Sequence, residues 1–239
     1  MFDERHRLDH IGSVGIRAPI AAILSVAYGR LSTRGARAVR ALAAFPADFD
    51  RAAARALEVD VATLDELFDR GFVQRRGDDR LLLHDLYRLY ARTRAEADEP
   101  AVFELARMMH AAYFINMAAH VAELWREGDP TANTALSAMD AEWPNFDAAH
   151  AWAITYAERT GEAVALEELV LNLRWLLIHL RDAETLLAWS QTAQASRSRR
   201  ADGRTRRVTS FPSPSPTICE ETVLPNKKRR SEGLRLRSA

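Results

Sequence analysis

Apolar residues recur at helical spacing through most of the first 195 positions, and only short polar intervals separate the periodic segments. The first segment predicts a helix that begins at Pro19, because proline is favoured at the first helical position, and that stops at Gly29. Residues 1–13 are polar and lack a period, so we expect an irregular arm there. The pattern as a whole favours a mainly α protein.

Three short helices are predicted next, each from its capping residue. Ser32 or Thr33 is expected to cap the first of them, and Asp50 is expected to cap the second. The third is predicted to begin at Thr63, because Thr63-Leu64-Asp65-Glu66 has the form of a capping box, and to end at Gly71. Its expected buried residues are Leu64, Leu67 and Phe68.

The spacing changes to alternation after Gly71. Apolar and basic residues alternate up to a turn at Gly77-Asp78-Asp79, and a second apolar strand then leads directly into His84-Asp85. Helical spacing returns after this pair, with Leu86, Leu89 and Tyr90 on one face. Three helices followed by a β-hairpin are the parts of a winged helix, which we place at residues 30–97.

The next segment is predicted to be helical to about Ala195. Pro100 is expected to open a long helix that Gly128-Asp129-Pro130 ends, and Asp182 is expected to cap the last helix. Short loops between such helices favour an array of antiparallel α-hairpins of the tetratricopeptide kind over residues 98–195. The five tryptophans are expected to lie in the core of this array rather than in an aromatic cage.

The net charge of zero conceals two unlike parts. After residue 195 there are 12 Lys and Arg against 4 Asp and Glu, whereas residues 1–195 have 21 against 29. The last 44 positions also have few spaced apolar residues, so we expect residues 196–239 to form a disordered basic tail. Because the helical pattern breaks off abruptly, our hypothesis is that this tail comes from a shifted reading frame or a truncated gene.

Composition excludes several classes of protein. A hydrophobic share of 48% with 28% charged residues is typical of a globular protein, and no apolar run reaches the roughly 20 residues of a membrane span. The first ten residues are highly charged and do not resemble a signal peptide, so a cytoplasmic location is expected, with no membrane partner. A single cysteine and scattered histidines predict no metal site.

Five stretches together resemble one known family. They are SVAYGRLS (residues 25–32), FPADFD (45–50), LDELFDRGFV (64–73), RLLLHDLYRLYA (80–91) and DAEWPNFDAAHAWA (140–153). In this order, over residues 20–195, they resemble the winged helix and the first helical repeats of bacterial STAND-class signalling ATPases with an NB-ARC module, AfsR-like regulators among them. The resemblance implies that residues 1–29 are a remnant of the helical ARC subdomain.

The resemblance also implies a nucleotide. Working members of the family hold ADP or ATP on a G-x-x-x-x-G-K-[ST] loop, and this motif does not occur in the sequence. We therefore expect a non-catalytic fragment of a signal-transduction regulator, without a cofactor of its own. Its expected partners are a nucleotide module in cis or in trans and a protein or ligand bound by the helical array.

His84 and Asp85 match the Met-His-Asp-type motif of the family. By resemblance, His84 senses the phosphate of bound ADP, while Asp85 lies in the first turn of a helix, where its charge suits the helix dipole. The simpler interpretation is that Asp85 is only an N-terminal helix residue and His84 only a half-buried residue of the strand–helix junction. Both interpretations remain open from the sequence.

The alternative function is that of a winged-helix DNA-binding transcriptional regulator. Its candidate DNA-contacting residues are Arg70, Arg75, Arg76 and Arg80 in or near the wing. Asp65, Glu66 and Asp69 on the would-be recognition helix oppose these cations, because carboxylates facing phosphates weaken binding. DNA binding is therefore the less favoured prediction.

Overall fold

The computed structural model describes residues 14–77, 79–180 and 183–201. The prediction of a mainly α fold with one small β-hairpin is confirmed within this part of the chain. The predicted arm at residues 1–13, the Asp182 cap and the tail beyond residue 201 lie outside it. The helices are α1 (Val14–Gly29), α2 (Thr33–Leu42), α3 (Arg51–Ala56), α4 (Val61–Asp69), α5 (Asp85–Asp98), α6 (Pro100–Glu127), α7 (Thr131–Ala141), α8 (Trp143–Thr160), α9 (Val164–Leu180) and α10 (Ala183–Ala201), and the strands are β1 (Val73–Arg76) and β2 (Arg80–Leu83).

The first part of the chain forms the winged-helix-like unit. Strands β1 and β2 pair antiparallel in the register Val73 to Leu83 and Arg76 to Arg80. Phe49 forms an isolated antiparallel bridge with Leu81 of β2. The Phe49 N–H donates to the Leu81 carbonyl at 2.8 Å, and the Leu81 N–H donates to the Phe49 carbonyl at 2.7 Å. The hairpin is thereby fixed to the turn that precedes α3.

Two predicted N-caps and one predicted helix stop are confirmed. The Ser32 side chain accepts from the Gly35 N–H at 2.9 Å, and the Asp50 carboxylate accepts from the Ala53 N–H at 2.7 Å. Gly71 follows α4 with a φ of 74°, a conformation that glycine adopts without steric cost.

The first helix begins earlier than predicted. It starts at Val14, and Pro19 lies in its second turn rather than at its first position. A proline in the second turn removes one intrahelical hydrogen bond and crowds the carbonyl four residues before it, yet the helix continues through it. Gly29 is its last residue, as predicted.

The predicted capping box at Thr63 is wrong. The N-cap of α4 is Asp60, whose carboxylate accepts from the Thr63 N–H at 2.8 Å, so Thr63 itself is a buried residue of the first turn. Glu66 does not fold back to Thr63. Its two carboxylate oxygens instead accept from the N–H and the hydroxyl of Ser32 at 2.8 and 2.6 Å, which joins α4 to the start of α2.

The buried faces of α4 and α5 differ from the apolar positions that the sequence indicates. Phe68 is 43% exposed, with the Arg75 guanidinium 5.2 Å from its ring centroid. On α5 the buried residues are Arg88, Ala91 and Ala95, whereas Leu89 is 40% exposed. The small alanines allow α5 to lie close against α2, a choice that helical spacing alone does not reveal.

Helix α6 is the centre of the second part. It packs against α7 and α8, which follow it directly, and against α9, the third helix after it. It also contacts α2, α3 and α5 of the winged-helix-like unit, so one hydrophobic core runs through both parts. Trp152 and Trp189 are buried in it, whereas Trp175 is 49% exposed on α9.

The last helix extends past the predicted boundary at Ala195. Helix α10 runs to Ala201, with Ser196 buried at 4% exposure and Arg197 paired to Glu167 of α9 at 2.7 Å. Residues 196–201 therefore belong to the folded unit and not to the tail. Because these residues are mostly Ser and Arg, apolar spacing did not predict that the helix includes them.

Candidate functional site

His84 lies between β2 and α5 and caps the helix. Its backbone N–H donates to the Phe72 carbonyl at 3.0 Å, which continues the hairpin by one residue. Its ring Nδ1 accepts from the Leu86 N–H at 3.3 Å, so the side chain satisfies one of the free donors of the first turn. Since Nδ1 is an acceptor in this geometry, the neutral ring carries its proton on Nε2.

Asp85 is largely exposed and is held by its own helix. Its carboxylate lies 2.9 Å from the Arg88 guanidinium, and its side chain is 55% exposed. Arg88 is itself only 10% exposed and also donates to the carbonyl of Pro46 in the FPADFD turn. The predicted pair is thus adjacent in space, but Asp85 is engaged in positioning Arg88. The sequence did not single out Arg88.

A buried polar cluster lies close to this site, where the hairpin meets the helical array. Arg80 of β2 donates to the Glu142 carboxylate, and it also donates to the backbone and side-chain oxygens of Asp48 at 2.9 and 3.2 Å. Glu142, the single residue between α7 and α8, has a side chain only 5% exposed. The wing is therefore tied to the array by a buried ion pair.

Asn145 completes this cluster. It is fully buried, and its Nδ2 donates to the Glu142 carboxylate at 2.7 Å and to the Asp48 carbonyl at 3.2 Å. Its Oδ1 lies 3.4 Å from His110 Nε2 of α6, so it accepts from that ring. One amide side chain in this way links α8, α6 and the turn before α3. We call Asp48, Arg80, His110, Glu142 and Asn145 the junction cluster.

Burial decides the electrostatics of the junction cluster. Desolvation lowers the pKa of His110 to about 4, so the ring is neutral at pH 7 and donates through Nε2. Desolvation also raises the pKa of Glu142, although Arg80 and Asn145 oppose it. For Arg80, burial acts against the charged form, but its bonds to Glu142 and Asp48 prevail and raise its pKa. Arg80 therefore remains a cation that needs both partners.

Besides Arg80, three residues of the junction cluster lie in two of the sequence stretches that carry the family resemblance. FPADFD contains Asp48, and DAEWPNFDAAHAWA contains Glu142 and Asn145. The signal that could have found them is the polar residue in an otherwise apolar context, since a buried amide or carboxylate needs partners from elsewhere in the fold. His110 has the same signal, because it is a polar residue of a long helix with apolar neighbours on both sides.

The four arginines of the DNA-binding alternative do not form one surface. Arg80 is withdrawn into the junction cluster, with its side chain 24% exposed. Arg70 lies 3.5 Å from the Glu66 carboxylate. Arg75 stacks on Phe68, and Arg76 is exposed at the end of β1. Only Arg75 and Arg76 thus lack a carboxylate partner in the described part of the chain and remain available to bind a phosphate backbone.

Among the described residues, no group of three or more His, Cys, Asp or Glu side chains is arranged to hold a metal ion. No described helix combines the length and the apolar character needed to cross a membrane.

Comparison with known proteins gives one informative relative. This chain is similar to the regulatory protein AfsR of Streptomyces griseus. The two are 30% identical over a region that covers 87% of this chain and 24% of AfsR, so the chain spans about a quarter of that relative's length. No family model matches the chain. No solved structure matches it either. The similarity to AfsR agrees with the resemblance noted from the five sequence stretches.

Proposed function

We propose that this chain is a non-catalytic relay in an AfsR-like signal-transduction regulator. In this proposal the winged-helix-like unit meets a nucleotide module supplied in cis or in trans, and the helices from α6 onward bind a protein or a ligand. The observation that carries the proposal is the similarity to a regulatory protein along 87% of the chain, since the similarity includes both parts and the junction between them. The bound nucleotide in the proposed complex is ADP.

The geometry of His84 supports a sensing role. Because Nδ1 is occupied by the Leu86 N–H, the ring is held with Nε2–H as its remaining donor. In the described part of the chain this Nε2 has no hydrogen-bond partner. A histidine fixed at a helix start with a free N–H can donate to a phosphate oxygen, and the helix dipole favours an anion at the same place.

The junction cluster supports a relay role. A change at His84 moves α5, and Arg88 of α5 is bonded to the turn of Pro46, two residues from Asp48 of the junction cluster. Asp48 is in turn bonded to Arg80 and Asn145, which lie on the wing and on α8. A displacement at the nucleotide side is thus transmitted through buried hydrogen bonds, whose loss is costly, rather than through a mobile linker.

A chimera tests the proposal. The part of S. griseus AfsR that corresponds to residues 20–195 would be replaced by those residues of this chain, and the dissociation rate of a fluorescent ADP analogue would be measured. We expect His84→Ala to speed release about tenfold or more, because a hydrogen bond to a charged group contributes about 1.5–3 kcal/mol. His179→Ala, a change of an exposed histidine on α9, is the matched control. Equal release rates for the His84 variant and the parent chimera would refute the sensing role.

A further inference from the structure

A cavity separate from the His84 site lies between the two parts of the chain. Its volume is about 250 Å³, and it is lined by α2, the α3–α4 connection, the end of α5 and the first half of α6. One wall is apolar and belongs to α6, with Val102 and Leu105 still 41% and 46% exposed and Met109 partly buried. An apolar wall that remains accessible beside a cavity is the setting in which small ligands bind.

The charges around the cavity are paired, with two exceptions. Arg34 pairs with Asp60 at 3.0 Å, and Arg40 pairs with Glu99 at 3.1 Å. Arg37 and Glu58 also line the cavity, are both exposed, and form no ion pair within the described residues. The cavity therefore presents one available cation and one available anion beside an apolar wall.

Glu58 is held in a backbone conformation that disfavours it. Its φ is 60°, and it follows α3 in the arrangement in which glycine usually ends a helix, with Glu58 N–H bonded to Arg55 O at 2.9 Å and Val59 N–H to Ala54 O at 3.1 Å. A non-glycine residue in this region costs about 1–2 kcal/mol. Strain of this kind is often found at binding sites, where a particular side chain is needed.

We propose that this cavity binds a small zwitterion with an apolar side chain, of the class of the apolar α-amino acids. The carboxylate of the ligand pairs with Arg37, its ammonium group pairs with Glu58, and its side chain lies against Val102, Leu105 and Met109. The volume of about 250 Å³ lies just below the roughly 300–1,000 Å³ of sites for drug-sized ligands, so the ligand is a small molecule. A purely anionic ligand would be repelled by Glu58, and a purely cationic one by Arg37.

The proposed ligand would bridge the two parts of the chain. Arg37 belongs to the winged-helix-like unit and the apolar wall belongs to α6, so a bound molecule stabilises their contact. This site does not depend on nucleotide binding at His84. The two proposals can therefore fail independently.

The test uses the full chain and L-leucine as the probe. Methyl signals of Val102, Leu105 and Met109 would be followed by NMR during titration up to ~10 mM, which detects millimolar complexes. We expect saturable shifts confined to the cavity, and at least about tenfold weaker binding for Arg37→Gln and for Glu58→Gln, since each removes one charge-assisted contact. Arg126→Gln, at the far end of α6, is the matched control and should bind leucine like the parent.

Two analogues distinguish a zwitterion site from simpler ones. 4-Methylpentanoate lacks the ammonium group, and isopentylamine lacks the carboxylate, so both are expected to bind at least about tenfold more weakly than leucine. Equal binding of either analogue would overturn the proposed ligand class. The absence of saturable leucine binding, or binding unchanged in both charge variants, would overturn the site itself.

Discussion

The tie between the wing and the helical array should depend on the Glu142 carboxylate. In Glu142→Ala the Arg80 guanidinium loses one of its two carboxylate partners, and Asn145 Nδ2 loses its 2.7 Å acceptor. Removal of one member of a buried pair costs about 3–5 kcal/mol when nothing else compensates. Arg80 keeps Asp48 and is 24% exposed, so we expect a loss of about 2–3 kcal/mol in the free energy of unfolding.

The positions of the tryptophans provide a selective assay. All five lie between residues 125 and 189, in the helical array, so their fluorescence reports on that part during urea unfolding, whereas far-ultraviolet circular dichroism reports on the whole chain. In the parent the two curves should coincide. In Glu142→Ala we expect them to separate, because the winged-helix-like unit loses a buried link to the array.

Two further variants isolate the cause. Glu142→Gln keeps the shape but replaces one of the two accepting oxygens by an NH2 donor and removes the charge opposite Arg80, so we expect an intermediate loss of about 1–2 kcal/mol. Asp98→Ala breaks the 2.9 Å ion pair with Arg94, which joins half-exposed residues of α5, and should cost less than ~0.5 kcal/mol. A loss below ~0.5 kcal/mol for Glu142→Ala, with coincident curves, would refute the junction as a stabilising link.

Three other predictions concern pH, backbone strain and a helix cap. Burial lowers the pKa of His110 and of His150 to about 4. The unfolded chain therefore binds more protons than the folded chain between about pH 6.5 and pH 4, and the free energy of unfolding should decrease as the pH falls through this range. In His150→Phe the urea midpoint should decrease less between pH 7 and pH 5 than in the parent. An unchanged pH slope would show that His150 does not titrate on unfolding. Glu58→Gly should raise the free energy of unfolding by up to about 1 kcal/mol, because glycine adopts a φ of 60° without steric cost. A urea unfolding curve that shows a less stable variant would contradict backbone strain at this position. Ser32→Ala should lower the free energy of unfolding by about 1 kcal/mol, because α2 loses its N-cap. It should also raise the pKa of Glu66 measured by NMR, since the hydrogen bonds from Ser32 hold that pKa below its usual value. A Glu66 pKa that does not change would exclude this contact in solution.

Local chemistry explains what could be predicted from the sequence. Ser32 and Asp50 cap helices, and Gly71 ends one, because a side chain or a glycine acts on backbone groups within three or four residues. The β-hairpin follows from the alternation that precedes His84. The mainly α fold follows from apolar spacing, which any helix that buries one face must show.

Only the tertiary structure decided how these elements use their polar residues. Glu66 has the spacing of a capping box, but its carboxylate bonds to Ser32, 34 residues away in the chain. Arg80 has the composition of a DNA-contacting wing residue, but Glu142 and Asp48 draw it into a buried cluster. In both cases the partner belongs to a distant segment, and a charged side chain takes the position where its desolvation is best compensated. Local sequence therefore determined the type and order of the helices and strands, whereas packing determined which of their charges remain available for binding.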